Sequence, residues 1–148
     1  MRLLDVNVLV ALAWPTHVHH AAAHAWFAEE GSAGWATCPL TQSGFVRVSS
    51  NGRVIRDARR PAEALELLRL MLAVPGHEFW EDDTSIATSP YVATNRIVSH
   101  GQVTDAHLLA LALRRGGRIV TFDRGVASLL PEDAPRTAVH VLSVAPSR

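Results

Sequence analysis

Lysine is absent from this chain of 148 residues, and all 14 of its basic residues are arginine. A phosphate-binding loop of the G-x-x-x-x-G-K-S/T type requires a lysine, so nucleotide binding of that kind is excluded. The motif G-x-G-x-x-G does not follow any predicted strand, which argues against a dinucleotide site of the usual type. The function must therefore depend on other side chains.

Cysteine, long apolar runs and excess charge are also missing. Cys38 is the only cysteine, so no internal disulfide can form, and we expect a reducing compartment, the cytoplasm. No run approaches the roughly 18 apolar residues of a membrane span, and Asp5 interrupts the apolar N-terminus early, so no membrane segment is expected. Acidic and basic residues both number 14, so any contact with nucleic acid must be local.

What the chain contains is a series of short apolar segments that alternate with helical patterns. The predicted strands are residues 2–6, 35–38, 78–80, 118–122 and 139–142. The predicted helices are residues 7–14, 17–30, 39–48, 61–74 and 105–115. This alternation predicts an α/β fold in which four or five parallel strands form a central sheet flanked by helices, an α/β/α sandwich. The length predicts a single domain over residues 1–148.

Three aspartates fall at the carboxyl edge of this predicted sheet. Asp5 ends the first strand, Asp123 ends the segment RIVTFD, and Asp105 lies in the first turn of the last predicted helix. Each alone could be a helix cap or a turn residue. Together, three carboxylates would repel one another unless a hard divalent cation neutralised them. We therefore expect Mg²⁺ or Mn²⁺ there, which could activate a water molecule against a phosphodiester.

Four segments carry a family resemblance: LLDVNVLVALAW, PLTQSGFVRV, VTDAHLLALA and RIVTFDRG. In this order and spacing they resemble the PIN-domain proteins, and most closely the VapC toxins of bacterial VapBC toxin–antitoxin pairs. The resemblance implies a metal-dependent ribonuclease that forms a homodimer and is held inactive by a cognate VapB-like antitoxin. It maps the acidic cluster of the family onto Asp5, Asp105 and Asp123. The polar positions beside these acids are Asn7, Thr104 and Thr121.

Gln42 departs from the family pattern, which usually has a glutamate at this position. An amide oxygen can still reach a metal or its bound water, but the site would have three negative charges instead of four and would hold a second Mg²⁺ less well. We therefore place Gln42 among the catalytic residues, in a weaker role. Arg47 follows it by five residues, and we expect it to support the site by pairing with an acid or contacting a phosphate.

Two further motifs have alternative interpretations. His17, His20 and His24 share one face of a predicted helix and could bind Zn²⁺, although no cysteine or carboxylate completes the set, so an exposed or capping face is the simpler interpretation. A basic run follows the turn predicted at Asn51-Gly52 and is either a solvated helix start, which we slightly favour, or a groove for an RNA backbone. The run consists of Arg53, Arg56, Arg59 and Arg60.

The sequence thus supports one leading function and one alternative. The leading hypothesis is an endoribonuclease that acts as the toxin of a type II toxin–antitoxin system. The alternative is a PIN-like module that lost activity through Gln42 and binds RNA or antitoxin without cleavage. A receiver-type phosphotransfer domain is disfavoured, since such domains depend on a lysine near the phosphate.

Overall fold

Five parallel strands form one sheet in the computed structural model, which describes residues 1–144. The last four positions of the predicted domain, 145–148, lie outside the described residues. The strands are β1 (Arg2–Leu4), β2 (Trp35–Thr37), β3 (His77–Phe79), β4 (Arg118–Thr121) and β5 (Val139–Val141). Their order across the sheet is β3-β2-β1-β4-β5. The chain order therefore reverses between β1 and β4, and ligands of open parallel sheets bind beyond the carboxyl ends of strands at such a point.

Five α-helices connect and cover the strands, as the alternating pattern predicts. They are α1 (Val6–Ala13), α2 (His20–Glu29), α3 (Pro39–Ser49), α4 (Pro61–Leu72) and α5 (Val103–Arg114). The longest of them has 12 residues, and within residues 1–144 none could cross a membrane.

Alternate side chains of the central strands point to two separate apolar layers. Leu3 on β1 and Ile119 on β4 pack in one layer with Leu109 of α5. Leu4 and Val120, their neighbours along the chain, face the opposite side. The second layer contains residues of α1, α2, α3 and α4: Val8, Leu9, Trp26, Phe45 and Leu68. The predicted α/β/α sandwich is therefore confirmed, and α5 is apolar nearly all round because it covers one face of the sheet almost alone.

Helix starts account for most differences from the predicted boundaries. The strand predicted to reach residue 6 ends at Leu4, because Asp5 caps α1 by accepting the N–H of Val6. The helix predicted from residue 17 begins at His20, since His17 to His19 form a turn in which the His20 N–H donates to the His17 carbonyl over 3.0 Å.

Two further boundaries matter near the site. Helix α5 begins at Val103, because a 3₁₀ turn at His100–Gln102 leads directly into it. Thr104 therefore lies inside the first turn and does not cap the helix. The predicted second strand stops at Thr37, because Cys38 caps α3 and its N–H donates to Oγ1 of Thr41 at 2.9 Å.

Helices α1 and α3 approach closely at one point. A Cβ atom added to Gly44 would lie only 2.5 Å from Cγ2 of Val6. Only glycine fits this crossing without movement of one helix. The contact brings α3 against the helix that follows Asp5.

Candidate active site

Asp5 is held at the carboxyl end of β1 by three hydrogen bonds. Its Oδ1 accepts the N–H of Val6 at 2.7 Å, and its Oδ2 accepts the hydroxyl of Thr121 at 2.8 Å and the side-chain amide of Asn7 at 3.4 Å. The side chain is only 6% exposed, and this burial is the main cause that raises the pKa of Asp5, with a further contribution from the charge of Asp123. The hydrogen bonds from Thr121 and Val6 lower the pKa of Asp5. A buried carboxylate is therefore kept in place by groups that favour its charged form.

Thr121 joins Asp5 to the rest of the site. Besides donating to Asp5, its fully buried hydroxyl oxygen accepts the N–H of Asp123 at 3.0 Å and the side-chain amide of Asn7 at 3.1 Å. The amide oxygen of Asn7 in turn accepts the N–H of Phe122 at 3.1 Å. This network ties the start of α1 to the end of β4, as the proximity of the two parallel strands predicts.

Asp105 and Asp123 bring two more carboxylates to the same place. Burial, together with the charges of Asp5 and Asp123, raises the pKa of Asp105 to about 6. Asp123 is exposed, and its Oδ1 accepts the N–H of Gly125 at 2.7 Å, which caps a short 3₁₀ segment. The capping roles foreseen for Asp5 and Asp123 are thus real, but local structure does not explain why the three carboxylates influence one another.

A cavity of about 340 Å³ opens between these acids. Its polar lining comes from Asp5, Asn7, Asp105 and Asp123. The remaining wall is formed by Val6, Val10, His17, Val48, Val54 and Ile55. Much of this wall is apolar, and of the three carboxylates Asp5 is buried while Asp123 is exposed to solvent.

The chemistry of the cavity fits a hard divalent cation. Among residues 1–144, no arginine or histidine forms an ion pair with Asp5, Asp105 or Asp123. The available donors are carboxylate oxygens, which Mg²⁺ and Mn²⁺ prefer. As the side chains stand, no three Asp, Glu, His or Cys residues of the described chain could hold an ion together. Binding would therefore require a side chain to turn, for which the exposed Asp123 has most freedom.

Comparison with known proteins identifies the family. Residues 2–129 match the model of the PIN domain. Ribonuclease VapC38 of Mycobacterium tuberculosis (strain ATCC 25618 / H37Rv) is 51% identical over 144 residues, which are 97% of this chain and 99% of that protein. The chain belongs to the VapC family of PIN-domain proteins. Membership of the VapC family, which the four sequence segments predict, implies an antitoxin partner.

Two solved structures share the PIN fold at low sequence identity. FitAcB from Neisseria gonorrhoeae has a TM-score of 0.65 and 17% identity, with 97% of both chains covered. Mycobacterium tuberculosis VapC20, a toxin that cleaves the sarcin-ricin loop, has a TM-score of 0.62 and 15% identity, covering 91% of this chain and 100% of that one. At such identities the comparison shows the PIN fold alone, in agreement with the five-stranded parallel sheet.

Gln42, Arg47 and Thr104 lie outside the aspartate cavity of this VapC protein. The side-chain amide of Gln42 donates to Oγ1 of Thr37 at 2.9 Å, at the end of β2. Gln42 and Arg47 both line another cavity, of about 460 Å³, next to α4. Within the described range Arg47 forms no ion pair, so the expected pairing with Asp5, or with either of the other two aspartates, is wrong for this structure. Its contact with a phosphate stays a prediction.

The histidines have two separate roles. His20 and His24 donate ring N–H groups to the carbonyls of Ala11 and Leu12, at 2.7 and 2.8 Å, at the end of α1. This confirms the capping interpretation for His20 and His24, because these ring nitrogens are engaged by the carbonyls of α1. His17 instead lines the aspartate cavity, and burial lowers its pKa.

Proposed function

We propose that this VapC-family chain is an endoribonuclease that hydrolyses phosphodiester bonds in RNA with Mg²⁺ or Mn²⁺. The observation that carries this proposal is the meeting of three distant aspartates at one cavity, where burial, together with the charges of Asp5 and Asp123, raises the pKa of Asp105 to about 6. The ribonuclease name of a relative that is 51% identical over nearly the full length supports the same reaction. Carboxylates that repel one another in a pocket without a basic partner are typical of a cation site.

In this proposal each polar residue of the site has a definite task. A bound divalent ion would lower the pKa of a water molecule and offset charge on the phosphate. Thr121 and Asn7 donate hydrogen bonds to Oδ2 of Asp5 and so fix this carboxylate at the cavity wall. Asp105 ionises above a pH of about 6 and then completes the negative potential that attracts the cation. Asp123 approaches from the end of β4, and its exposure allows it to turn towards the ion.

The physiological context follows from family membership. We propose that the chain acts as the toxin of a type II pair and is inhibited by a VapB-like antitoxin. Two properties expected from the sequence stay predictions: formation of a homodimer and location in the cytoplasm. One observation favours the alternative of a binding module without catalysis, because Gln42 is an amide and donates to Thr37 instead of facing the cavity.

Cleavage of structured RNA by the purified chain tests the proposal. We would incubate antitoxin-free protein with end-labelled transfer RNA, a ribosomal hairpin and a messenger RNA, first with EDTA and then with added Mn²⁺ or Mg²⁺. We expect cleavage of at least one RNA only with metal, and its loss in Asp5→Asn and Asp105→Asn. The matched control is Asp133→Asn, which removes the charge of an exposed acid outside the cavity.

Two results would contradict the proposal. Cleavage that persists in Asp5→Asn and in EDTA would come from another nuclease or another site. Binding of RNA by the wild-type chain without cleavage under any metal condition would favour the binding module.

A further inference from the structure

The loop between α3 and α4 forms part of the wall of the aspartate cavity. Within residues 50–60, Val54 and Ile55 line the cavity directly. Arg53 precedes this pair in the chain and Arg56 follows it, and both side chains are exposed. One arginine therefore lies on each side of the part of this loop that forms the wall of the proposed active site.

The backbone of this loop is held in place. The carbonyl of Asn51 accepts the N–H groups of Val54 and Ile55, each at 3.0 Å, which forms the predicted turn. Ile55 is only 7% exposed and packs in the apolar layer beside α1. At the base of the loop, the N–H of Arg59 donates to the carbonyl of Ser49 at 3.0 Å. The Cα positions of the loop arginines are thus fixed, although their side chains remain free to move.

The charge of this loop is strongly unbalanced. Residues 51–60 contain four arginines and a single acid, Asp57. Arg60 forms an ion pair with Glu63 at the start of α4, at 3.0 Å. For this residue, the interpretation of the basic run as a solvated helix start is therefore correct. In the described chain, Arg53 and Arg56 form no ion pair, and they precede the helix by several residues. A helix start therefore does not explain these two arginines.

An RNA strand needs positive charge at this rim. The cavity itself presents three carboxylates, which repel the phosphates on both sides of a bond that enters it. Arginine offers a planar fork of donors that suits phosphate oxygens, whatever the base sequence. We propose that Arg53 and Arg56 bind phosphates that flank the scissile bond and so set the path of the RNA across the cavity. This inference rests on the proposed ribonuclease function and adds the residues that position its substrate.

Salt dependence of RNA binding tests the assignment of Arg53 and Arg56. The double variant Arg53→Gln/Arg56→Gln is compared with Arg69→Gln/Arg136→Gln, which loses the same charge outside the cavity. Both are made in an Asp105→Asn background, and affinity for a fluorescein-labelled RNA hairpin with a single-stranded loop is measured from 50 to 200 mM NaCl. Two lost contacts should reduce the slope of log K against log salt by about 1.4. The ratio of the affinity at 50 mM to the affinity at 200 mM NaCl should then be roughly sevenfold smaller than for the parent protein.

Cleavage kinetics give a second, independent readout. With Asp105 intact, Arg53→Gln/Arg56→Gln should raise KM about tenfold and change kcat by no more than about twofold, since the contacts act on binding. The Arg53→Lys/Arg56→Lys variant should recover most of the salt slope, because it keeps the charge. Circular dichroism melting of every variant identifies any loss of fold.

The outcomes separate this inference from the proposed function. If the wild type cleaves RNA and both glutamine pairs give the same KM and salt slope, the loop assignment is overturned and the ribonuclease stands. If only antitoxin binding weakens in Arg53→Gln/Arg56→Gln, the loop serves a protein partner and the assignment is likewise overturned. If no RNA is cleaved, the ribonuclease proposal fails, and hairpin binding in the Asp105→Asn background still decides the role of the arginines.

Discussion

Thr121 and Asp5 share a 2.8 Å hydrogen bond although 116 residues separate them in the chain. The bond joins the ends of the two neighbouring strands β4 and β1, where the chain order reverses. It also opposes the effect of burial on the pKa of Asp5. A neutral hydroxyl thus helps to keep a negative charge at a site without a basic partner in the described chain.

Thr121→Val should therefore destabilise the protein. The change removes the donor to Asp5 and leaves the Asp123 N–H without its acceptor, while the Asn7 amide loses the nearer of its two acceptors. We expect a loss of about 1–3 kcal/mol in the free energy of unfolding, measured by urea titration at pH 7.5. Thr121→Ser keeps the hydroxyl and should lose less. Equal stability of Thr121→Val and wild type would show that the network contributes nothing.

Asp105→Asn should stabilise the metal-free protein at neutral pH while abolishing cleavage. The folded protein raises the pKa of Asp105 from 3.8 to about 6, so the ionised carboxylate costs folding free energy. That cost is fully present above pH 6 and disappears below the unfolded pKa. We expect a gain on the order of 1 kcal/mol at pH 7.5, after allowing for screening of a half-exposed group, and almost none near pH 4.

Urea unfolding with EDTA at the two pH values measures this difference. Asp133→Asn is the control, because its exposed side chain lies outside the cavity and should give no pH-dependent gain. A stability of Asp105→Asn equal to or below that of wild type at pH 7.5 would argue against repulsion within the cavity.

Gln42→Glu should tighten the binding of Mn²⁺ severalfold. The substitution adds a negative charge at the end of β2, next to the strand that leads into Asp5, and so restores the usual family residue. Calorimetric titration of wild type, Gln42→Glu and the neutral control Gln42→Ala would measure the change. An unchanged Mn²⁺ affinity would mean that Gln42 only fastens α3 to Thr37 and plays no part in the site.

Gly44→Ala should weaken the packing of α1 against α3. The new methyl group would lie 2.5 Å from Cγ2 of Val6, a stiff β-branched side chain that cannot easily move away. We expect a loss of about 1–3 kcal/mol in unfolding free energy. Val6→Ala should rescue the variant, so a double-mutant cycle should give a favourable coupling energy. Additive effects would show that the two residues do not compete for the same space.

The sheet and the positions of the aspartates at its edge could be predicted from the sequence, because both follow from the order of strands and helices. Short apolar strands between helices determine a parallel sheet, and the carboxyl ends of neighbouring strands must lie together, so Asp5 and Asp123 could be placed without coordinates. Helix starts were less predictable, since Asp5 and His17 compete for backbone groups through their own side chains.

The rest of the cavity wall depends on tertiary packing. Val54 and Ile55 belong to a polar, arginine-rich loop, and their only sequence signal was an apolar pair at an unexpected place. The orientation of the Gln42 side chain could not be predicted either, because it depends on a hydrogen bond to the hydroxyl of Thr37 on β2. Arg47 was expected beside the acids, yet the helix carries it to the neighbouring cavity.

Cys38 offers a practical advantage for studying this protein. It is the only cysteine in the chain, its side chain is fully buried, and burial raises the pKa of its thiol. The native sulfhydryl should therefore react slowly with maleimides. A single cysteine introduced on the surface could carry a fluorophore or a spin label without first removing Cys38, so distances between the α3–α4 loop and bound RNA could be measured in an otherwise unmodified chain.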